Sequence, residues 1–333
     1  MKTHLFGQGG CLLDDASKKV EINHFFGAHD LGTKAALKVA DIADFDIDLM
    51  EALFFHLIHY IIKGMCQLLA MNCNIPTDIC FSFTGFQARG GLTDEHQDGW
   101  GIAFFEGKGV RQFLDSQASV HSPIADLVRS YPIKSKNVIS HIRKATQGSV
   151  QLENTHPFMR ELWGYYWIFA HNGNLVDFEP SFDGSFMPVG STDSEQAFCY
   201  LLQELRKKFG NLYPGKEKMF EALVELSKDI GAQGEFNFLL SNGDVLFAHC
   251  STFLTYLVRK APFKTARLKD QEMTVDFNDM TTLNDRVAVI ATAALTHDET
   301  WNDMRRGSLW WFDEGSVVRH EDTVAGPEKA EAP

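Results

Sequence analysis

Apolar residues recur along the chain in two rhythms. Runs rich in aromatic and β-branched residues at 99–107 (GWGIAFFEG), 137–143 (NVISHIR), 166–173 (YWIFAHNG) and 286–292 (RVAVIAT) predict strands. The stretch 236–250 (FNFLLSNGDVLFAHC) predicts a hairpin in which Asn242 and Gly243 supply the φ > 0 residues of a type I′ turn. Elsewhere the period is helical. Ala197, Phe198, Leu201, Leu202 and Leu205 share one face behind Thr192-x-x-Glu195, a capping box, and a second helix is expected from about Lys218 to Ile230, stopped by Gly231.

Upstream, Leu49, Met50, Leu53, Phe54, Leu57, Ile58 and Ile61 form the apolar stripe of one amphipathic helix ending at Gly64, in a segment without strand alternation. The closing residues 321–333 are polar, carry two prolines and predict a flexible tail. The expected organisation is an N-terminal extension over 1–64, a single domain over 65–320 and a tail over 321–333. Antiparallel strands with helices grouped in pairs indicate a layered α+β domain rather than a doubly wound parallel sheet.

Composition then narrows the function. The 333 residues are 44% hydrophobic, enough to bury a sizeable core. Lys plus Arg number 31 against 44 Asp plus Glu, a net charge of -13, which leaves no electrostatic footprint for nucleic acid or an anionic membrane. No apolar run approaches the ~20 residues that span a bilayer. Six cysteines are scattered without a CxxC pair, and the first residues lack the apolar core of a signal peptide, so a reduced, cytoplasmic compartment is expected. His141, His156 and His171 stand at no metal-ligand spacing and read as hydrogen-bonded structural histidines. No glycine-rich phosphate loop opens a helix after a strand, and neither a metal nor a cofactor is expected.

Four stretches carry chemistry: Met65-Cys66, HIRKATQG at 141–148, AHNGNL at 170–175 and STDSE at 191–195, with NTHPF at 154–158 between the second and third. In this order they resemble the class II glutamine amidotransferase domain, an N-terminal-nucleophile hydrolase, and most closely its small stand-alone members, which lack a fused synthase. The resemblance covers Cys66 to the 310s. It implies a four-layer αββα sandwich of antiparallel sheets that cleaves the glutamine side-chain amide through a cysteinyl γ-glutamyl thioester. Cys66 would be the nucleophile and its own free α-amino group the base. The Asn172 side-chain amide and the Gly173 N–H would hold the oxyanion. Arg143 would bind the substrate α-carboxylate with its planar fork, Thr146 and Gly148 would line the same loop, and Asp193 would pair with the α-ammonium. As the first helical residue, Asp193 also sits where the helix dipole favours any acid.

Two positions depart from the synthase-fused relatives. Many of those have a Trp where this chain has Lys144 and a His where it has Gln147, which puts coupling to an acceptor in doubt but not the nucleophile or the oxyanion donors. A conflict also stands at Cys66. Sixty-five residues precede it, and its nitrogen as an amide cannot accept a proton. Met65 beside Cys66 favours translation starting at Met65; a propeptide removed before Cys66 is the alternative, and an extension that stays would leave the site inert.

The implied substrate is glutamine or a γ-glutamyl compound, with a separate synthase subunit as the ammonia acceptor. The alternative activity is hydrolysis of γ-glutamyl peptides or amides. A rival from another class is a non-catalytic glutamine-binding regulatory protein that keeps residues 1–64.

Overall fold

The computed structural model describes residues 66–145 and 148–324. The extension with its expected helix, Thr146, Gln147 and residues 325–333 lie outside the described residues. In chain order the first half comprises β1 (Gln67–Thr77), α1 (Cys80–Ala88), β2 (Trp100–Glu106), β3 (Gly109–Asp115), α2 (Pro123–Ser130), β4 (Ser135–Ile142), β5 (Phe158–Leu162) and β6 (Tyr165–Asn172). The second half comprises α3 (Asp193–Phe209), α4 (Lys216–Gly231), β7 (Asn237–Ser241), β8 (Leu246–Cys250) and β9 (Thr255–Lys260). It closes with β10 (Thr265–Arg267), β11 (Thr274–Asp276), β12 (Arg286–Ala291), β13 (Asn302–Asp303), β14 (Ser308–Asp313) and β15 (Ser316–Asp322).

Strand alternation builds the layers. A seven-stranded sheet runs β13-β9-β12-β1-β4-β2-β3 and a six-stranded sheet runs β15-β14-β8-β7-β6-β5, antiparallel throughout. On β1, Leu68 and Ala70 join Ile168 and Ala170 of β6 and Leu239 of β7 in a core between the sheets. Leu69 and Met71 point the opposite way and pack with Phe83 and Phe86 of α1 and Val128 of α2. Across the molecule, Trp167 and Phe169 of β6 pack with Phe198 and Leu202 of α3 and Phe220 and Leu223 of α4. The order is helix, sheet, sheet, helix, the αββα sandwich. Among the described residues no helix is long and apolar enough to cross a membrane.

Local details refine the sequence reading. The hairpin forms with Ser241 opposite Leu246, which makes a four-residue loop. Gly243 alone takes a positive φ there, +88°, and the Asn242 side chain accepts the Asp244 and Val245 N–H groups, so the turn is not type I′. Thr192 caps α3 by accepting the Glu195 N–H at 3.2 Å. The reciprocal half of the capping box is diverted, because Glu195 accepts from Gly190 N–H at 2.7 Å and pairs with Arg160. The helix α4 starts at Lys216, two residues before the expected position. The fold also runs past residue 320, since β15 reaches Asp322 and the buried Thr323 hydroxyl bonds His249 Nε2 at 2.7 Å.

Candidate active site

Cys66 stands immediately before β1. Because Gln67 pairs with Ile142 and Leu68 with His141, the register brings Cys66 beside Arg143, just past the end of β4. The Lys144 N–H donates to Cys66 Sγ at 3.1 Å, and the thiol lies 3.2 Å from the Lys144 carbonyl. Burial pushes the Cys66 thiol up to about 11; the Lys144 hydrogen bond and the Arg143 charge pull it down, and Asp98 opposes them. With an amide on its nitrogen this cysteine is a protonated thiol.

The arginine is buried, and its own pKa falls because burial disfavours the charge. Its Nη1 donates to the Ser149 carbonyl at 2.9 Å and its Nη2 to the Gly148 carbonyl at 3.2 Å, so the guanidinium shapes the loop it was expected to share. Gly148 holds φ at +73°, which favours glycine there. Asp98 braces the other side: it accepts the Ala145 N–H at 2.8 Å while its own N–H donates to the Arg143 carbonyl at 3.2 Å. Asn154, 1% exposed, ties Ser149 to Ser191 through its side-chain amide. Thr146 lies outside the described residues.

The second half of the site ends β6. Asn172 alternates with Ile168 and Ala170, so its side chain belongs to the face turned toward the first sheet. It is 2% exposed, and its Nδ2 has no hydrogen-bond partner among the described groups. Its carbonyl is pinned by Asn237 Nδ2 at 3.0 Å. Gly173 follows at φ +154°, where a Cβ would lie 1.9 Å from the Glu235 carbonyl oxygen; any side chain would push the two segments apart. Near these strand ends His141 of β4 and His171 of β6 are both fully buried.

Asp193 is buried and doubly engaged. One carboxylate oxygen accepts the Leu175 N–H and the other the Ser194 N–H, each at 2.8 Å. It therefore fixes the loop after Gly173 to the start of α3. Cys66 and Arg143 thus stand at the first sheet, with Gly148 in the loop that Arg143 holds, while Asn172 and Gly173 close β6 of the second sheet and Asp193 ties the loop that follows to α3.

Sequence reading missed three supports. Asp98 lies outside the four stretches that carry chemistry. Asn154 stands in the sequence only as the first residue of NTHPF. Arg89, 5% exposed, donates to Gln67 Oε1 at 3.2 Å and to the Ala293 and Ala294 carbonyls, and pairs with Asp270 at 3.0 Å, fixing the residue after Cys66. Nothing in the pattern of a lone Arg before two glycines signals such burial. The expectation that all three motif histidines are hydrogen-bonded also fails in part. His171 bonds Ser194 Oγ at 2.8 Å and the Glu235 carbonyl at 3.0 Å, whereas no ring nitrogen of His141 or His156 has a partner among the described groups.

Two antiparallel sheets faced by helices, with a cysteine at the head of a central strand, are the architecture of N-terminal-nucleophile hydrolases. Within that class the sequence profile of class II glutamine amidotransferases matches residues 65–332, and the chain belongs to that family. It is 51% identical over 271 residues to a protein of Haemophilus influenzae named as a candidate glutamine amidotransferase, covering 81% of this chain and 91% of that one. It is 52% identical over 254 residues to YafJ of Escherichia coli, similarly named, covering 76% of this chain and 100% of YafJ. A crystal structure from Pseudomonas aeruginosa, described as a glutamine amidotransferase predicted from its sequence, superposes with a TM-score of 0.62. It is 46% identical, over 76% of this chain and 100% of that one.

Proposed function

We propose that the protein releases ammonia from the side-chain amide of glutamine through a γ-glutamyl thioester on Cys66, in a form whose N-terminus is Cys66. The observation that carries the reading is the buried, unpartnered Nδ2 of Asn172 on the face turned toward the sheet that bears Cys66. A buried amide donor without an acceptor is costly unless an acceptor arrives, and a tetrahedral oxyanion is the acceptor this chemistry creates. The free α-amine of Cys66 takes the thiol proton, and the thiolate attacks the γ-carbonyl. Asn172 Nδ2 and the Gly173 N–H hold the oxyanion; its collapse breaks the C–N bond, and the proton passes to the leaving nitrogen. Water then attacks the thioester, releasing glutamate and restoring the thiol.

Arg143 and Gly148 receive the α-carboxylate, with Thr146 lending its hydroxyl, and Asp193 receives the α-ammonium. Ammonia passes to a separate synthase subunit in the cytoplasm. The shared base requires an active form without residues 1–65, since only a free amine on Cys66 can accept the proton. The test uses a chain beginning at Cys66. Incubated with glutamine and quenched in acid, it should release ammonia and carry a γ-glutamyl adduct on the Cys66 peptide. A folded Cys66-start chain giving neither product overturns the reading; turnover with γ-glutamyl peptides but not glutamine moves it to peptide hydrolysis.

A further inference from the structure

Next to this site the sandwich holds a polar pair that the proposed reaction does not use. His141 alternates with Ile139 on β4 and so faces the inter-sheet space, fully buried. His156, from the segment before β5, is 4% exposed and lies against it, with ring centroids 4.3 Å apart. Room for it comes from Gly101, where a Cβ would lie 2.4 Å from the His156 carbonyl oxygen. None of the four ring nitrogens has a hydrogen-bond partner among the described groups; the His171 main chain approaches His141 outside hydrogen-bond geometry. The two neighbouring buried histidines behave differently. His171 and His249 each have both ring nitrogens engaged.

The chemistry of the pair defines what fits it. Burial drives both imidazoles well below their ordinary pKa, and the Arg143 charge acts in the same direction, so both are neutral. Each neutral ring carries one donor and one acceptor. The pair therefore presents two donors and two acceptors beside the inter-sheet core that holds Leu68, Ala70, Ala103, Ile139 and Ala170. An apolar occupant leaves all four unmet. An anion finds two acceptor nitrogens against it, and a cation finds the Arg143 charge nearby. What matches is a molecule of one heavy atom that both donates and accepts.

We propose that His141 and His156 hold a small neutral hydrogen-bonding molecule, water or ammonia, one strand repeat inward from Cys66 and Arg143. The depth follows from register: Leu68 pairs with His141 two residues beyond the Cys66 and Arg143 position, about 7 Å along the strands. Water is a reagent and ammonia a product of the reaction proposed above, and this position is one strand repeat from it. Its ammonia form rests on the amide hydrolysis proposed above, and its water form does not.

The test is nuclear magnetic resonance of the full chain carrying Cys66→Ala and ¹⁵N-labelled histidine, at alkaline pH so that dissolved ammonia is present. Ring signals are assigned by their loss in His141→Gln and His156→Gln, with His156→Asn as the substitute should the second not fold. Water as occupant gives cross-relaxation from both ring N–H protons to a long-lived water, unchanged on adding ammonium chloride. Ammonia as occupant gives a saturable shift of both histidines with ammonium chloride that potassium chloride at equal ionic strength does not reproduce. Absence of both signals overturns the proposal. Because Cys66→Ala has no turnover to measure, failure of the glutamine reaction would show only in the Cys66-start chain and would leave this readout standing.

Discussion

The Asn154 side-chain carbonyl accepts the Ser191 N–H at 2.8 Å while its amide donates to the Ser149 carbonyl at 3.1 Å. Through this one residue, the loop that Arg143 holds is joined to the turn that starts α3. Space for it is made at Gly190, where a Cβ would lie 2.2 Å from Asn154 Oδ1. A second tie comes from Glu195, which accepts the Gly190 N–H and pairs with Arg160. The walls of the proposed substrate pocket are thus set by a buried neutral amide, backed by an ion pair.

Asn154→Ala should raise KM for glutamine by about 5- to 150-fold, since losing one buried hydrogen-bonding bridge costs ~1–3 kcal/mol. The turnover number should move less, because the bridge positions binding loops and does not touch the reacting carbonyl. Steady-state kinetics on the Cys66-start enzyme decides this. A variant with unchanged KM would mean that the two loops hold their places without Asn154.

Asn172→Ala and Arg143→Lys should separate catalysis from binding. Loss of one oxyanion donor typically lowers kcat by ~10²–10³ with little effect on affinity. Asn172→Ala also removes the partner-free Nδ2, so it should not destabilise the fold through that atom. Arg143→Lys should raise KM and also lower the urea midpoint, because Arg143 donates to the Gly148 and Ser149 carbonyls with two nitrogens that a lysine cannot both replace. An Asn172→Ala enzyme that loses affinity but keeps its kcat sinks the oxyanion role.

How much of this was legible depends on burial. The strands dense in aromatic and β-branched residues, such as β2 and β6, announce themselves by composition although both faces are buried, and α3 does so through its apolar stripe. The central strand β1 does not: Gln67 to Cys73 are likewise buried on both faces, so the period-two alternation is lost, and this run has no aromatic or β-branched residue to mark it. The same reason hides α1, of whose nine residues eight are buried, leaving no polar stripe. At the site, the ordered motifs bring forward Cys66, Arg143, Asn172 and Asp193, but their supports come from residues distant in sequence. Asp270 and Ala293 meet Arg89 only through the fold. The unpartnered state of His141 and His156 is a tertiary fact that spacing does not encode.

Alkylation rates should report the N-terminus. A thiol held at about 11 is ionised only to the order of 10⁻³ at pH 8, so Cys66 in the full chain should react slowly with iodoacetamide. In the Cys66-start chain an amine replaces the amide, and the rate at pH 8 should rise at least 10-fold. Peptide mass spectrometry separates Cys66 from Cys80, which is also partly accessible and whose thiol burial raises to about 12. Equal Cys66 rates in both chains would mean that the α-amine does not act on the thiol.

Stability should fall on the acid side of neutrality, and the histidines set where. His141 and His156 are pushed well below the ordinary value by burial, and burial lowers His249 to about 4. Between those folded values and the unfolded value near ~6.5, the unfolded chain binds more protons than the native one. The contribution is therefore complete above about pH 6.5 and is lost as pH falls, at up to ~1.4 kcal/mol per pH unit for each histidine. Urea unfolding of Cys66→Ala from pH 8 to pH 5.5 should show this decline. In the same background His141→Gln/His156→Gln should reduce the slope below pH 6.5 by about 2.7 kcal/mol per pH unit, the share of two such groups. An unaltered slope would mean that this pair takes up protons equally in the folded and unfolded chain, and that its burial in the neutral form is wrong.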